Sequence, residues 1–208
     1  MRLAGVRVFH TLPTILRWLH SSFDSSALFH LMSMQTTTCS ACGQPLTWPP
    51  MCYGAPAPWR GFGITDAEFP QRVELNADLC VVDWKHFFIR GHVEIRVSGL
   101  DELFAWSVWC SLSEASFRRV CSRWDSPGRE HDAPMFGWLM TALPCYTGRD
   151  PVKTMVHTRP VGQVPLIEVD PDDELGREQQ SGISMERVLE FAQAITGDGG
   201  PKRCGCAT

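Results

Sequence analysis

Alternation dominates the middle of the chain. Phe104, Trp106, Val108, Cys110 and Leu112 fall on one side of an extended backbone, with Ala105, Ser107, Trp109 and Ser111 on the other. Upstream, residues 79–82 and 87–90 are apolar runs flanking Asp83, Trp84, Lys85 and His86, which reads as a hairpin turn. Gly91 interrupts, and residues 92–97 resume with Val93, Ile95 and Val97 on one face. Two further strands, over residues 152–158 and 164–169, surround the turn Arg159, Pro160, Val161, Gly162. The period then changes. Phe117, Val120, Cys121 and Trp124 recur at helical spacing after Ser113, with Leu112 and Phe117 placed as a hydrophobic staple. Ser184 starts a second such helix, with Val188, Phe191, Ala192 and Ile195 inward, and Gly197 stops it. The acidic run Asp170 to Glu174 and the following Glu178, Gln179 and Gln180 read as loop. The pattern predicts an α+β fold: a central antiparallel sheet with one face in the core, two amphipathic helices and a turn-rich amino-terminal segment.

That segment, residues 39–69, holds Gly43, Pro45, Pro49, Pro50, Gly54, Pro56, Pro58, Gly61 and Gly63, which excludes long elements and leaves little core of its own. It begins with Cys39, Ser40, Ala41, Cys42 and Gly43. Two residues between thiols, then a glycine, let both sulfurs reach one tetrahedral zinc. A metal here would supply rigidity that the turns lack. Cys80 and His92 are candidate completing ligands, with Cys52 or His86 as substitutes, and the competing reading is a pair of reduced thiols on a turn. Without a His-Glu-x-x-His helix or a comparable cluster, such a zinc is structural, not catalytic.

With 208 residues the chain suits a single domain, expected over residues 34–197, with residues 198–208 a disordered tail. Residues 1–33 carry Arg2, Arg7 and Arg17 against a single acid, Asp24. They read as a disordered extension, as an upstream start with initiation at Met32 or Met34, or as an organelle-type presequence. The net charge of −4 offers no global field for nucleic acid or anionic lipid, and no apolar run is long enough for a spanning helix. Nine cysteines, an odd number, without an export signal predict reduced thiols in a cytoplasmic protein.

Other chemistry is sparse. His157 and Arg159 project to one side of a strand and could bind an anion, with Glu178 and Gln179 as further candidates and Arg90 beside Gly91. A solvated strand-edge pair is the plainer reading. No nucleophile elbow, P-loop or dinucleotide fingerprint occurs. Two functions are compatible with this inventory. One is a zinc-stabilised, non-enzymatic domain binding a protein or peptide through an aromatic sheet surface. The other is an enzyme acting on an anionic small molecule in a pocket of His157, Arg159 and Glu178. The first is favoured because no catalytic constellation is legible.

Several separated strings carry a resemblance: Cys39-Ser-Ala-Cys42-Gly43, Asp78-Leu-Cys80-Val-Val-Asp83, Phe87-Phe-Ile-Arg90-Gly91, Trp106-Ser-Val-Trp109, Phe136-Gly-Trp138-Leu139, Lys153-Thr-Met-Val-His157-Thr-Arg159, and Glu178-Gln179 before Gly182-Ile183. Together, over about residues 39–195, they resemble the bacterial family known as domain of unknown function 2199. In that family a histidine follows the Cys-x-x-Cys-Gly string, where this chain has Gln44, Pro45 and Leu46. Cysteine often stands at the position of His92, which the resemblance therefore implies as a ligand. The resemblance implies no activity or substrate, and it places residues 1–33 outside the domain.

Overall fold

The structure, a computed structural model, describes residues 35–38, 45–146 and 151–196. The chain divides into two compact units. In the first, β1 (Gln35–Thr38) pairs antiparallel with β2 (Pro45–Trp48), Thr38 opposite Pro45. Cys39 and Cys42 lie in the chain between these strands, outside the described residues.

The second unit, residues 50–198, contains the other eight strands found among the described residues. They are β3 (Cys52–Gly54), β4 (Val73–Leu75), β5 (Leu79–Val82), β6 (His86–Arg96), β7 (Leu103–Leu112), β8 (Met135–Leu139), β9 (Lys153–His157) and β10 (Leu166–Val169). Strands β6 to β10 form an antiparallel meander whose ends meet: β10 lies parallel to β6, with Leu166 opposite His92. The expected central antiparallel sheet is therefore a closed five-stranded barrel. An odd meander that closes on itself must join its first and last strands in parallel. Strands β5 and β4 extend the sheet from β6, and β3 runs parallel to β7.

Closure also explains Gly91. It does not interrupt: β6 runs unbroken from His86 to Arg96. A Cβ at position 91 would sit 2.5 Å from the Ile167 side chain and 2.9 Å from the Pro165 carbonyl, so glycine lets β10 approach. The connection from β5 to β6 is three residues, Asp83, Trp84 and Lys85, with His86 already in β6; Asp83 and Trp84 adopt left-handed backbone (φ 50° and 55°) and the Lys85 amide donates to the Val82 carbonyl at 3.0 Å.

Among the described residues four α-helices accompany the barrel, where two were expected: α1 (Phe69–Arg72), α2 (Glu114–Arg123), α3 (Glu174–Ser181) and α4 (Met185–Thr196). Ser113 caps α2 through its side chain, as its sequence position suggests. Residues 174–181, read as loop, form α3 because Asp173 accepts from the Leu175 amide at the helix start. Helix α4 sends Phe191 into the barrel end, where it meets Phe104 and Trp106 at ring separations of 5.2 and 5.0 Å.

Outside the barrel, Trp59, Ile64 and Val73 pack with Cys80, Val82, Phe88 and Trp109, backed by Phe62 and Phe69. From Ala57 onward the turn-rich segment thus takes its rigidity from apolar packing on β5, β6 and β7, which removes one reason for requiring a metal there.

Candidate functional site

Along the outer face of β6, β9 and β10 the register places His92 beside Leu166 and Leu166 beside His157. Around this row the polar side chains are paired. Arg159 donates two hydrogen bonds to Glu94, at 2.7 and 2.6 Å. Arg90 donates to Asp78 at 2.8 Å, and His157 lies 2.7 Å from Glu168. A cleft of about 370 Å³ opens here, with Glu94, His157, Leu166, Glu168 and Gln179 in its walls. The structure therefore brings His157, Gln179 and the Glu94 partner of Arg159 to one place.

Glu178 is not in that cleft. It faces the opposite side of α3, where it accepts from the Tyr146 hydroxyl and, at 2.9 Å, from Arg187. Arg187 stacks over Tyr146 and Phe191, and burial together with the Glu178 contact pushes the tyrosine hydroxyl well above its ordinary range. The pocket of His157, Arg159 and Glu178 is thus not formed as a single constellation.

Gln179 has a specific task. Beyond His92, β6 no longer bonds to β10, leaving the Ile167 carbonyl and the Val169 amide on the seam. The Gln179 side chain donates to the former at 2.7 Å and accepts from the latter at 2.9 Å. Its primary amide stands in for the missing peptide group of a neighbouring strand.

Cys80 and His92 are not brought together either. Cys80 pairs with Phe88, and His92 lies four residues further along β6, about 13 Å away by strand rise. Zinc ligand atoms must all lie within about 2.3 Å of one ion. Cys80 is fully buried in the outer apolar cluster, and burial pushes its thiol up to about 12. Burial also pushes the His92 imidazole down, against the pull of Glu94. Cys52 is exposed on β3, and His86 stacks on Phe62 at 4.8 Å. Among the described residues no group of three potential ligands is placed to hold an ion.

A second feature shares this outer face. On β8, Met135 and Gly137 point inward while Phe136 and Trp138 point out, 48% and 38% exposed. Their rings meet edge to face at 5.2 Å. Phe136 pairs with Met155 and Trp138 with Lys153 on β9. A depression of about 280 Å³ adjoins Phe136, bounded also by Met155, Glu168, Asp170 and Pro171. The one sequence signal was an aromatic at every second residue of a short strand, with nothing large between.

The Glu94–Arg159 pair gives a pH dependence. The bidentate hydrogen bond from Arg159 holds the Glu94 carboxyl below the usual glutamate range, burial opposing. A depressed carboxylate stabilises the fold above its unfolded value, and that stabilisation is lost as pH falls through the folded value. Urea midpoints measured through the acid range should therefore fall less steeply for Glu94→Gln than for the native chain.

Two comparisons with known proteins gave nothing: no curated protein and no solved structure matches the chain. One family model, described as an uncharacterized protein conserved in bacteria, domain of unknown function 2199, matches residues 38–183. No helix among the described residues is long and apolar enough to cross a membrane.

Proposed function

The chain belongs to this uncharacterized bacterial family, and from that premise we propose a non-enzymatic interaction domain that binds a protein or peptide on the outer face of β8, β9 and β10. The observation that carries the reading is the Phe136–Trp138 pair, two large rings held edge to face in solvent on a rigid barrel wall. Exposed aromatics of this kind supply contact area at low entropic cost and are enriched at binding surfaces. The polar residues nominated from sequence support it from the other side. Arg159, Arg90, Glu178 and Gln179 are each engaged in holding the fold.

The test uses a partner captured on the immobilised protein, purified, and titrated back. Phe136→Ala with Trp138→Ala should weaken that binding at least about tenfold, each ring being worth roughly 1 kcal/mol or more. The urea midpoint should stay close to native, since neither ring lies in the core. Undiminished binding by the double variant would refute the reading.

We also propose that Cys39 and Cys42 hold a structural zinc. The support is their spacing, the glycine after them and their position in the chain between two antiparallel strands. Metal analysis of the purified protein should find zinc bound at one ion per chain, and Cys39→Ser should lose it. Equal metal content in both would end this part of the proposal.

A further inference from the structure

We infer that the seam between β6 and β10 has a second state, in which Gln179 withdraws and Glu94 pairs with Glu168, shutting the outer cleft. Along this edge of β6 the amides of Arg90, His92 and Ser98 donate to the carbonyls of Asp78, Pro165 and Ile183, each at 2.8 Å. The Arg96 carbonyl accepts from the Ile183 amide at 2.9 Å. Alternation along the strand turns the Glu94 peptide groups toward the same edge. Parallel pairing is made at His92 with Leu166 and goes no further. The next rung would set Glu94 opposite Glu168. Its amide would donate to the Ile167 carbonyl, and its carbonyl would accept from the Val169 amide. These are the same two groups that the Gln179 side chain holds, at 2.7 and 2.9 Å. Gln179 therefore sits as a wedge in the place of the Glu94 peptide.

Either state makes two hydrogen bonds to β10 at this point. Withdrawal of the wedge restores rotamer freedom to Gln179 and gives the Glu94 peptide its partners, which favours zipping. Charge opposes it. The new rung would bring Glu94 and Glu168 onto neighbouring strands about 4.8 Å apart, and like charges directly opposite are destabilising. As the chain stands, each carboxylate is engaged separately, Glu94 by Arg159 and Glu168 by His157. The cleft of about 370 Å³ is walled by Glu94 and Arg96 from β6, Leu166 and Glu168 from β10, and Gln179 from α3. Zipping draws its two acidic walls together, so their repulsion keeps it open.

Glu168→Lys tests this in the otherwise native chain, with amide hydrogen exchange followed by NMR. A lysine opposite Glu94 makes the rung attractive, so the Glu94 amide should exchange about tenfold more slowly than in the native chain. The Gln179 side-chain amide protons should at the same time lose their protection. A second measurement combines substitutions. In Gln179→Leu, which lacks the wedge, adding Glu168→Gln should raise the urea midpoint, because the Glu94 peptide then takes over the two orphaned groups. In the native chain the same change should leave the midpoint level or lower it, since it weakens the His157 contact. Unchanged Glu94 exchange in Glu168→Lys overturns the inference, and so does a Glu168→Gln effect equal in both backgrounds. If Gln179→Leu does not fold, the exchange result alone decides.

Discussion

Arg129→Met is expected to destabilise the second unit by about 3 kcal/mol, read as a shift in the urea midpoint. Arg129 is 2% exposed, yet among the described residues every hydrogen bond of its guanidinium goes to a backbone carbonyl. Its guanidinium donates to the carbonyls of Trp124 and Arg159, both at 2.6 Å, and of Gln163 and Pro160, at 3.0 and 3.2 Å. The Trp124 ring lies under it at 4.9 Å. One side chain therefore ties the end of α2 to the whole connection between β9 and β10. Burial disfavours the charged form, so removing the charge recovers part of the loss. The carbonyls of Trp124, Arg159 and Gln163, left without this donor, outweigh that recovery, while the Pro160 carbonyl keeps the Gln163 amide. Arg129→Lys should rescue little, because an ammonium cannot span four acceptors spread in a plane. A lysine variant within about 1 kcal/mol of native would show that the fork geometry is not what matters. Since Arg159 leaves this same connection to reach Glu94, the variant should also flatten the acid dependence of stability described above.

Gln179→Leu should cost about 2–4 kcal/mol, because it orphans two buried backbone groups at roughly 1–3 kcal/mol each. Gln179→Glu discriminates between bulk and chemistry. A carboxylate can accept from the Val169 amide but would confront the Ile167 carbonyl with a second acceptor; only the protonated acid can serve both. That raises the folded pKa of the new carboxyl. Its stabilisation is present below that value and lost as pH rises. The glutamate variant should therefore be more stable in mild acid than at neutral pH, opposite in sign to the Glu94 effect. Parallel pH profiles for the native and glutamate chains would contradict the seam role.

What could be read from the sequence was what is locally determined. The Ser113 cap, the Asp83–Trp84 turn and the alternation of β7 each depend on a few adjacent residues, and each stands in the structure. The closure of the barrel depends on a pairing between β6 and β10, and nothing within Phe87 to Val97 signals it. Gly91 looked like a break because the side chain it makes room for, Ile167, belongs to a strand far along the chain. Strand β8 escaped notice for a related reason. With Gly137 inward, where a Cβ would lie 2.3 Å from the Ser111 carbonyl, its large residues fall on the solvent side and the usual polarity of alternation is inverted. Helix α3 hides behind an acidic run and carries only Leu175 and Gly176 as buried residues, too little for a periodic signal. Among the site residues, His157 and Gln179 were nominated and do meet in one cleft, whereas Glu178 turns away. Neighbours on a helix point about 100° apart, so the two could not share a face.

The parallel join of β6 to β10 also bears on how the chain folds. Every other pair in the barrel links strands consecutive in sequence, so hairpins can zip it from β6 to β10 with modest loss of chain entropy at each step. The last join links its two ends and can form only when all the others have. It consists of few strand hydrogen bonds, supplemented by a single glutamine from a helix that lies later in the chain than either strand. Weakening that seam should leave the folding rate nearly untouched and act on the rate of opening. The barrel is then a ring with a clasp, and its lifetime in the closed state is set at the clasp.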